Sequence, residues 1–126
     1  MIDRLDHFVL TVADLRRTLD FYVRGLGMTE EVFGEGRRAL RFGGQKINLH
    51  PADGEPILPR AASPGPGTGD FCLIADRPLV EVERHLREQG FAIEIGPVDR
   101  TGATGPIRSI YLRDPDGNLV EVAEYL

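Results

Sequence analysis

The feature that most limits what this chain can fold into is that it states one pattern twice. Asp6 and Leu15 recur as Asp70 and Leu79 at an offset of 64 residues, and the helix-ending glycines Gly27 and Gly90 repeat at nearly that spacing. Internal duplication of a small supersecondary unit is the simplest source of such a period. Each copy opens with alternation: in Asp6 to Val12, Phe8, Leu10 and Val12 share one face while His7, Val9 and Thr11 share the other. Asp14 then offers an N-cap, and Leu15, Leu19, Tyr22 and Leu26 form a helical stripe that runs out at Gly25-Leu26-Gly27. Strand-like pieces follow around Glu30 to Phe33, Arg38 to Phe42 and Lys46 to His50, separated by glycines, so residues 1–50 read βαβββ.

Residues 51–69 hold Pro59, Pro64, Gly65, Pro66, Gly67 and Gly69 and read as a linker. The pattern restarts over 70–126. Asp70 to Ala75 is a strand, Asp76 an N-cap, Pro78 a first-turn proline, and Leu79, Val82 and Leu86 a helical stripe ended by Gly90. Strands at Ala92 to Ile95, Ser109 to Arg113 and Leu119 to Glu124 complete it. The expected fold is therefore α+β: one domain, 1–126, of two βαβββ modules whose mixed sheets pair their uncovered faces into a cup.

In the last strand, Asp-Pro-Asp-Gly-Asn presets a tight turn, and Glu121 follows it among apolar neighbours. A buried carboxylate needs a partner, so Glu121 either pairs with Arg113 or Arg108 or meets a metal. Two of the three histidines also lie on strands: His7 in the first, and His50 at the end of the last strand of module one. Each alone reads equally as an interior imidazole satisfied by backbone and water. Together, His7, His50 and Glu121 form a nitrogen and oxygen set suited to one divalent ion, Fe, Mn, Ni, Co or Zn, with open positions left over. His85 sits on the polar side of a helix and is expected to be solvated.

Composition narrows the partners. A formal charge of −5 argues against nucleic acid and anionic membranes, and no apolar run is long enough to span a bilayer. A small-molecule partner is expected. Met1-Ile2-Asp3-Arg4 leads directly into a strand pattern, from which a cytoplasmic location is expected. The single cysteine, Cys72, excludes an intramolecular disulfide, and its apolar setting points to burial.

The segments DHFVLTVADLRRTLDFYVRGLG, INLH, RTGATGP and IRSIYLRDPDGNLVEV resemble the vicinal oxygen chelate superfamily, the glyoxalase, bleomycin resistance and dioxygenase family. They are most similar to its glyoxalase domain-containing protein 5 branch, which includes virulence and biphenyl-diol dioxygenase-related proteins. The resemblance spans nearly the whole chain. It implies paired βαβββ modules, usually in a homodimer, with a divalent metal in the cup. The family's metal positions fall on the first and last strands of each module, here His7, His50, Phe71 or a neighbour, and Glu121. Phe71 cannot ligate, so it is expected to press on the substrate instead.

The resemblance implies an enzyme in which metal and Glu121 act on a small oxygen-chelating substrate by lyase, isomerase or ring-cleaving dioxygenase chemistry. Arg100 and Thr101 open a glycine-rich loop and Arg108 and Ser109 follow it, a cationic set fit to clamp a carboxylate or phosphonate, or else a plain connection. Tyr111 shares strand parity with Ser109, so its hydroxyl is a further substrate-binding candidate, with core packing as the other reading. The alternative to an enzyme is a non-catalytic cup that sequesters an antibiotic, with Phe71 as an apolar wall.

Overall fold

The computed structural model describes all 126 residues as two compact units, Met1–Thr68 and Gly69–Leu126. The first contains β1 (His7–Val12), α1 (Leu15–Leu19), β2 (Thr29–Phe33), β3 (Arg37–Phe42) and β4 (Gln45–Pro51). Its sheet runs β1-β4-β3-β2, with β1 and β4 parallel and the other pairs antiparallel. The second contains β5 (Asp70–Ile74), α2 (Leu79–Glu88), β6 (Ile95–Thr101), β7 (Pro106–Arg113) and β8 (Leu119–Tyr125), in the same arrangement, β5-β8-β7-β6. Both modules are βαβββ.

Alternation assigns the faces. In the first sheet Leu10, Val12, Leu40, Ile47 and Leu49 are buried on one face, and Phe21 and Tyr22 of the helical segment are buried with them. Each fully buried side chain of this size contributes about 1.5–3 kcal/mol. Asp14 caps α1 as the sequence expects, its carboxylate accepting from the Arg17 amide at 3.1 Å. The helix then widens into a π-turn over Asp20–Gly25, and Gly27, at φ +74°, ends it.

The second module's core is Val120, Val122, Ile110 and Leu112 with Leu79 and Leu86 of α2. Here the expected cap is corrected. Asp76 does not cap α2; its carboxylate holds Arg77, and the helix starts after Pro78 with no local side-chain cap. Glu124, across the sheet on β8, accepts from the Leu79 amide at 2.9 Å and supplies the negative charge that a helix N-terminus favours.

The Asp-Pro-Asp-Gly-Asn turn is built as expected and also sets the second sheet. Asp114 Oδ1 accepts from the amides of Asp116 and Asn118, both at 2.9 Å, while Asn118 Nδ2 donates to Asp114 Oδ2 at 2.7 Å. Gly117 supplies φ +88°. Asn118 Oδ1 then accepts from the Gly69 amide at 2.7 Å, which aligns β5 with β8 so that Cys72 lies beside Glu121.

The strand expected at Ala92 to Ile95 lies later, at Ile95–Thr101, and so takes Arg100 and Thr101 out of the loop. Its Gly-Pro pair stays in the sheet because a register shift falls between Ile95 and Val98, and because Gly96, at φ +111°, has no Cβ to strike the Ser109 carbonyl. No helix is long and apolar enough to cross a membrane.

Candidate functional site

Opposite its apolar face, each sheet presents a polar one. In the first module β1 contributes His7, Val9 and Thr11, and their parallel partners on β4 are Lys46, Asn48 and His50. Arg41, Ala39 and Arg37 follow on β3, and Phe33 on β2. The Phe33 ring carries two cations, Lys46 Nζ at 3.9 Å and the Arg37 guanidinium at 4.9 Å from its centroid.

His7 is 44% exposed, and its Nδ1 lies 2.7 Å from Asp6 Oδ2, a bond that holds the Asp6 carboxyl below its usual range. A carboxylate on Nδ1 fixes the tautomer that leaves Nε2 as a lone-pair donor, the arrangement common behind metal-bound histidine. His50 differs. It is 8% exposed, its Nε2 is buried without a partner, and burial, then the Arg37 guanidinium, hold its imidazole below the ordinary value.

The register does not bring these two histidines together. His7 lies level with Lys46 and His50 level with Thr11, an offset of four residues along parallel strands. At about 3.3 Å per residue their backbones stand ~13 Å apart along the strands, and side chains on one face of a sheet project side by side, so the two imidazoles keep most of that separation. The residue closer to His7 is Asn48, whose buried Oδ1 has no partner.

In the second module Glu121 lies level with Cys72 on β5 and with Tyr111 on β7. Arg100 reaches this face, its Nε donating to the Tyr111 hydroxyl at 3.1 Å. Ser109 lies on it as well, fully buried with an unpartnered Oγ. Cys72 is exposed rather than buried, and its thiol is pushed up to about 11 by partial burial and by the Glu121 carboxylate beside it. So high a value keeps it a thiol rather than a thiolate nucleophile.

Alternation places the remaining expected residues elsewhere. Phe71 precedes Cys72 and points to the opposite face, away from Glu121. Arg108 pairs in register with Glu124 on that same opposite face, and its Nε donates to Asp99 Oδ1 at 3.0 Å. Thr101, paired with Pro106 at the strand end, alternates away from Arg100. Of the expected substrate residues, Arg100, Ser109 and Tyr111 share the face of Glu121, and Phe71, Thr101 and Arg108 do not.

An offset of 64 hides two positions, Asn48 and Asp70. The parallel registers pair Val9 with Asn48 and Cys72 with Glu121, so the counterpart of Glu121 is Asn48, and the counterpart of His7, two residues before Val9, is Asp70. The signal was present in the parallel triplets Ile47-Asn48-Leu49 and Val120-Glu121-Val122.

Neither expected arginine neutralises Glu121. Arg113 pairs with Glu94 and Arg108 with Asp99, leaving the half-buried carboxylate in no ion pair. Within neither module do three His, Cys, Asp or Glu side chains group as a metal site. The polar face of the first module thus carries His7 Nε2 and Asn48 Oδ1, and that of the second Asp70 and Glu121 at the equivalent positions, all of them donor types that a divalent ion accepts.

Residues 4–122 match the Glyoxalase/Bleomycin resistance protein/Dioxygenase superfamily. The chain is 49% identical to virulence protein STM3117 of Salmonella typhimurium over 126 residues, all of this chain and 87% of that one. The crystal structure of that protein superposes with a TM-score of 0.96, covering 100% of this chain and 99% of that one. It is 50% identical to glyoxalase domain-containing protein RDO1 of Mycosarcoma maydis over 121 residues, 96% of this chain and 68% of the other. A lactoylglutathione lyase from Agrobacterium tumefaciens is 26% identical, with a TM-score of 0.73 over 98% of this chain and 95% of that one.

Proposed function

We propose, because this chain belongs to the glyoxalase/bleomycin resistance protein/dioxygenase superfamily, that it is a divalent-metal enzyme acting on a small oxygen-chelating substrate, working as a cytoplasmic homodimer. One observation carries the reading. Glu121 is a half-buried carboxylate in no ion pair: Arg108 is bound to Asp99 and Arg113 to Glu94, and Arg100, on the same face, donates to Tyr111 and not to Glu121. An acid held in that state is costly unless something cationic meets it.

His7 and Glu121 would hold the ion, which supplies Lewis-acid stabilisation of developing negative charge. The other groups act on the substrate. Because Arg100 donates to the Tyr111 oxygen, the Tyr111 proton is free to be given to a substrate oxygen on the face that Glu121 shares. Cys72 stands beside Glu121 as a neutral thiol, so it adds no second negative charge to that face. His50 is left out of the metal set by its four-residue offset from His7.

A second reading, drug sequestration without chemistry, is favoured by Asn48, a neutral amide at the position equivalent to Glu121. One experiment separates them. Elemental mass spectrometry after reloading with Fe(II), Mn, Co, Ni or Zn is expected to find near-stoichiometric metal in the wild type and in His50→Ala. The metal should be lost in His7→Ala and Glu121→Ala with circular dichroism unchanged. Metal-free protein throughout would select sequestration, and full retention in His7→Ala would remove His7 from the ligand set.

A further inference from the structure

The first module holds a second polar site that the metal reading does not use. Beyond the C-terminal ends of β1 and β4, the segment after Pro51 folds back and leaves a cleft of about 130 Å³. Thr11 and His50 form its floor, Arg60 reaches it from the loop, and Pro56, Ile57, Pro64 and Pro66 wall it.

Three features of this cleft ask for a ligand. His50 is more than nine-tenths buried, yet its Nε2 meets no protein group. Buried polar nitrogens nearly always have a partner, so one left without is costly. The Arg60 guanidinium is in no ion pair, and no acidic side chain lines the cleft. The Thr11 hydroxyl is likewise uncommitted, and it stands level with His50 across the parallel pair.

The walls narrow the ligand further. Proline has no amide proton, so four of the lining residues, Pro51, Pro56, Pro64 and Pro66, offer no backbone donor. The Ala52 amide is already spent on the Val12 carbonyl at 2.8 Å. The polar side chains of the lining are Thr11, His50 and Arg60. The fork of the Arg60 guanidinium matches a two-oxygen anion such as a carboxylate in bidentate fashion. Proline rings and Ile57 then suit a short aliphatic chain. The volume is well below the roughly 300–1,000 Å³ of drug-sized pockets, which sets the size to a short acid.

We propose that this cleft binds a short-chain carboxylate, its oxygens held by Arg60, Thr11 and the Nε2–H tautomer of His50 and its chain laid against Pro56, Ile57, Pro64 and Pro66. Arg37, beside His50 and held over Phe33, adds positive potential without entering the cleft. The second module has no such site, because the residues equivalent to Thr11 and His50 are Ile74 and Ala123.

The test is a two-dimensional amide NMR titration of the full chain with butyrate, acetate, phosphate and chloride at constant ionic strength. Butyrate should saturate shifts at Thr11, His50, Ala52 and Arg60, and bind more tightly than acetate. Arg60→Ala, on an exposed loop, should weaken butyrate at least tenfold, with Arg60→Lys recovering part of that loss and Thr11→Val weakening it several-fold. Tighter binding of phosphate than butyrate, an equal response to chloride, no saturation by butyrate, or unchanged affinity in Arg60→Ala would each overturn the proposal. Metal content depends on His7 and Glu121 and not on Arg60, so failure here is distinct from failure of the metal reading.

Discussion

In the first module the polar face carries His7, Asn48 and His50 among Lys46, Arg37 and Arg41; in the second, the equivalent positions and their neighbours carry Asp70, Glu121 and Ala123 beside Cys72 and Tyr111. On the opposite faces the two agree: Leu10, Val12, Ile47 and Leu49 in one module, Val120, Val122, Ile110 and Leu112 in the other, all buried. Burying an apolar face is a condition of folding, so both copies keep it. The polar face is not under that condition, and there the copies have separated into a cationic, imidazole-bearing surface and an acidic, hydroxyl-bearing one.

The largest difference expected between the modules lies in how each begins its parallel strand pair. Gln45 and Asn118 stand at the same step, three residues before Asn48 and Glu121, and both bond the backbone just ahead of the first strand. Gln45 Nε2 donates to the Leu5 carbonyl at 3.0 Å in an exposed setting, whereas Asn118 is 1% exposed and also holds Asp114. Asn118→Ala strands the Gly69 amide and one Asp114 oxygen, so about 3 kcal/mol of stability should be lost, against ~1 kcal/mol or less for Gln45→Ala. Urea unfolding of the two variants checks this; equal losses would mean that the buried turn holds no more than its exposed twin.

The next effect comes from making the modules more alike. Asn48→Glu gives the first sheet the carboxylate that the second has in Glu121, at a position whose Oδ1 is now buried without a partner. A neutral ligand position exchanged for an anionic one should tighten divalent metal on the order of tenfold, read by chelator competition. A variant that keeps its fold and binds metal no better would place Asn48 outside the metal's reach.

These comparisons also show what could be read from the chain and what could not. The two βαβββ units, the Asp14 cap and the turn before β8 were legible because alternation, glycine and capping residues act over a few neighbours. The site was legible only in part. Aligning the repeat on its helices gives an offset of 64, while the strand registers put His7 opposite Asp70, and one residue of error turns a side chain to the other face of a sheet. That single step exchanged Phe71 for Asp70. Arg108 and Ser109 are neighbours in sequence but face apart on the strand, and the Arg108 partner, Asp99, lies on another strand. The cap of α2 was beyond local reading altogether, since Glu124 is 45 residues from Leu79.

The smallest expected effects, and the sharpest contrast, are in pH. His50 is held below its ordinary value near 6.5, so the unfolded chain takes up a proton before the folded one does. Its contribution is present above that value and declines as pH falls from about 6.5 through the depressed folded value. Cys72 runs the other way. Its thiol lies at about 11 in the fold against 9.0 ordinarily, so the unfolded chain loses the proton first, and stability declines as pH rises from 9 towards 11. The first module should thus weaken in mild acid and the second in base. Urea midpoints from pH 5 to 7 should flatten in His50→Gln, and those from pH 9 to 10.5 should flatten in Cys72→Ser. Iodoacetamide should label Cys72 slowly at pH 8 and faster in Glu121→Gln, where one cause of the raised value is gone. If the labelling rate is unchanged in Glu121→Gln, the carboxylate does not act on the thiol, and burial alone raises it.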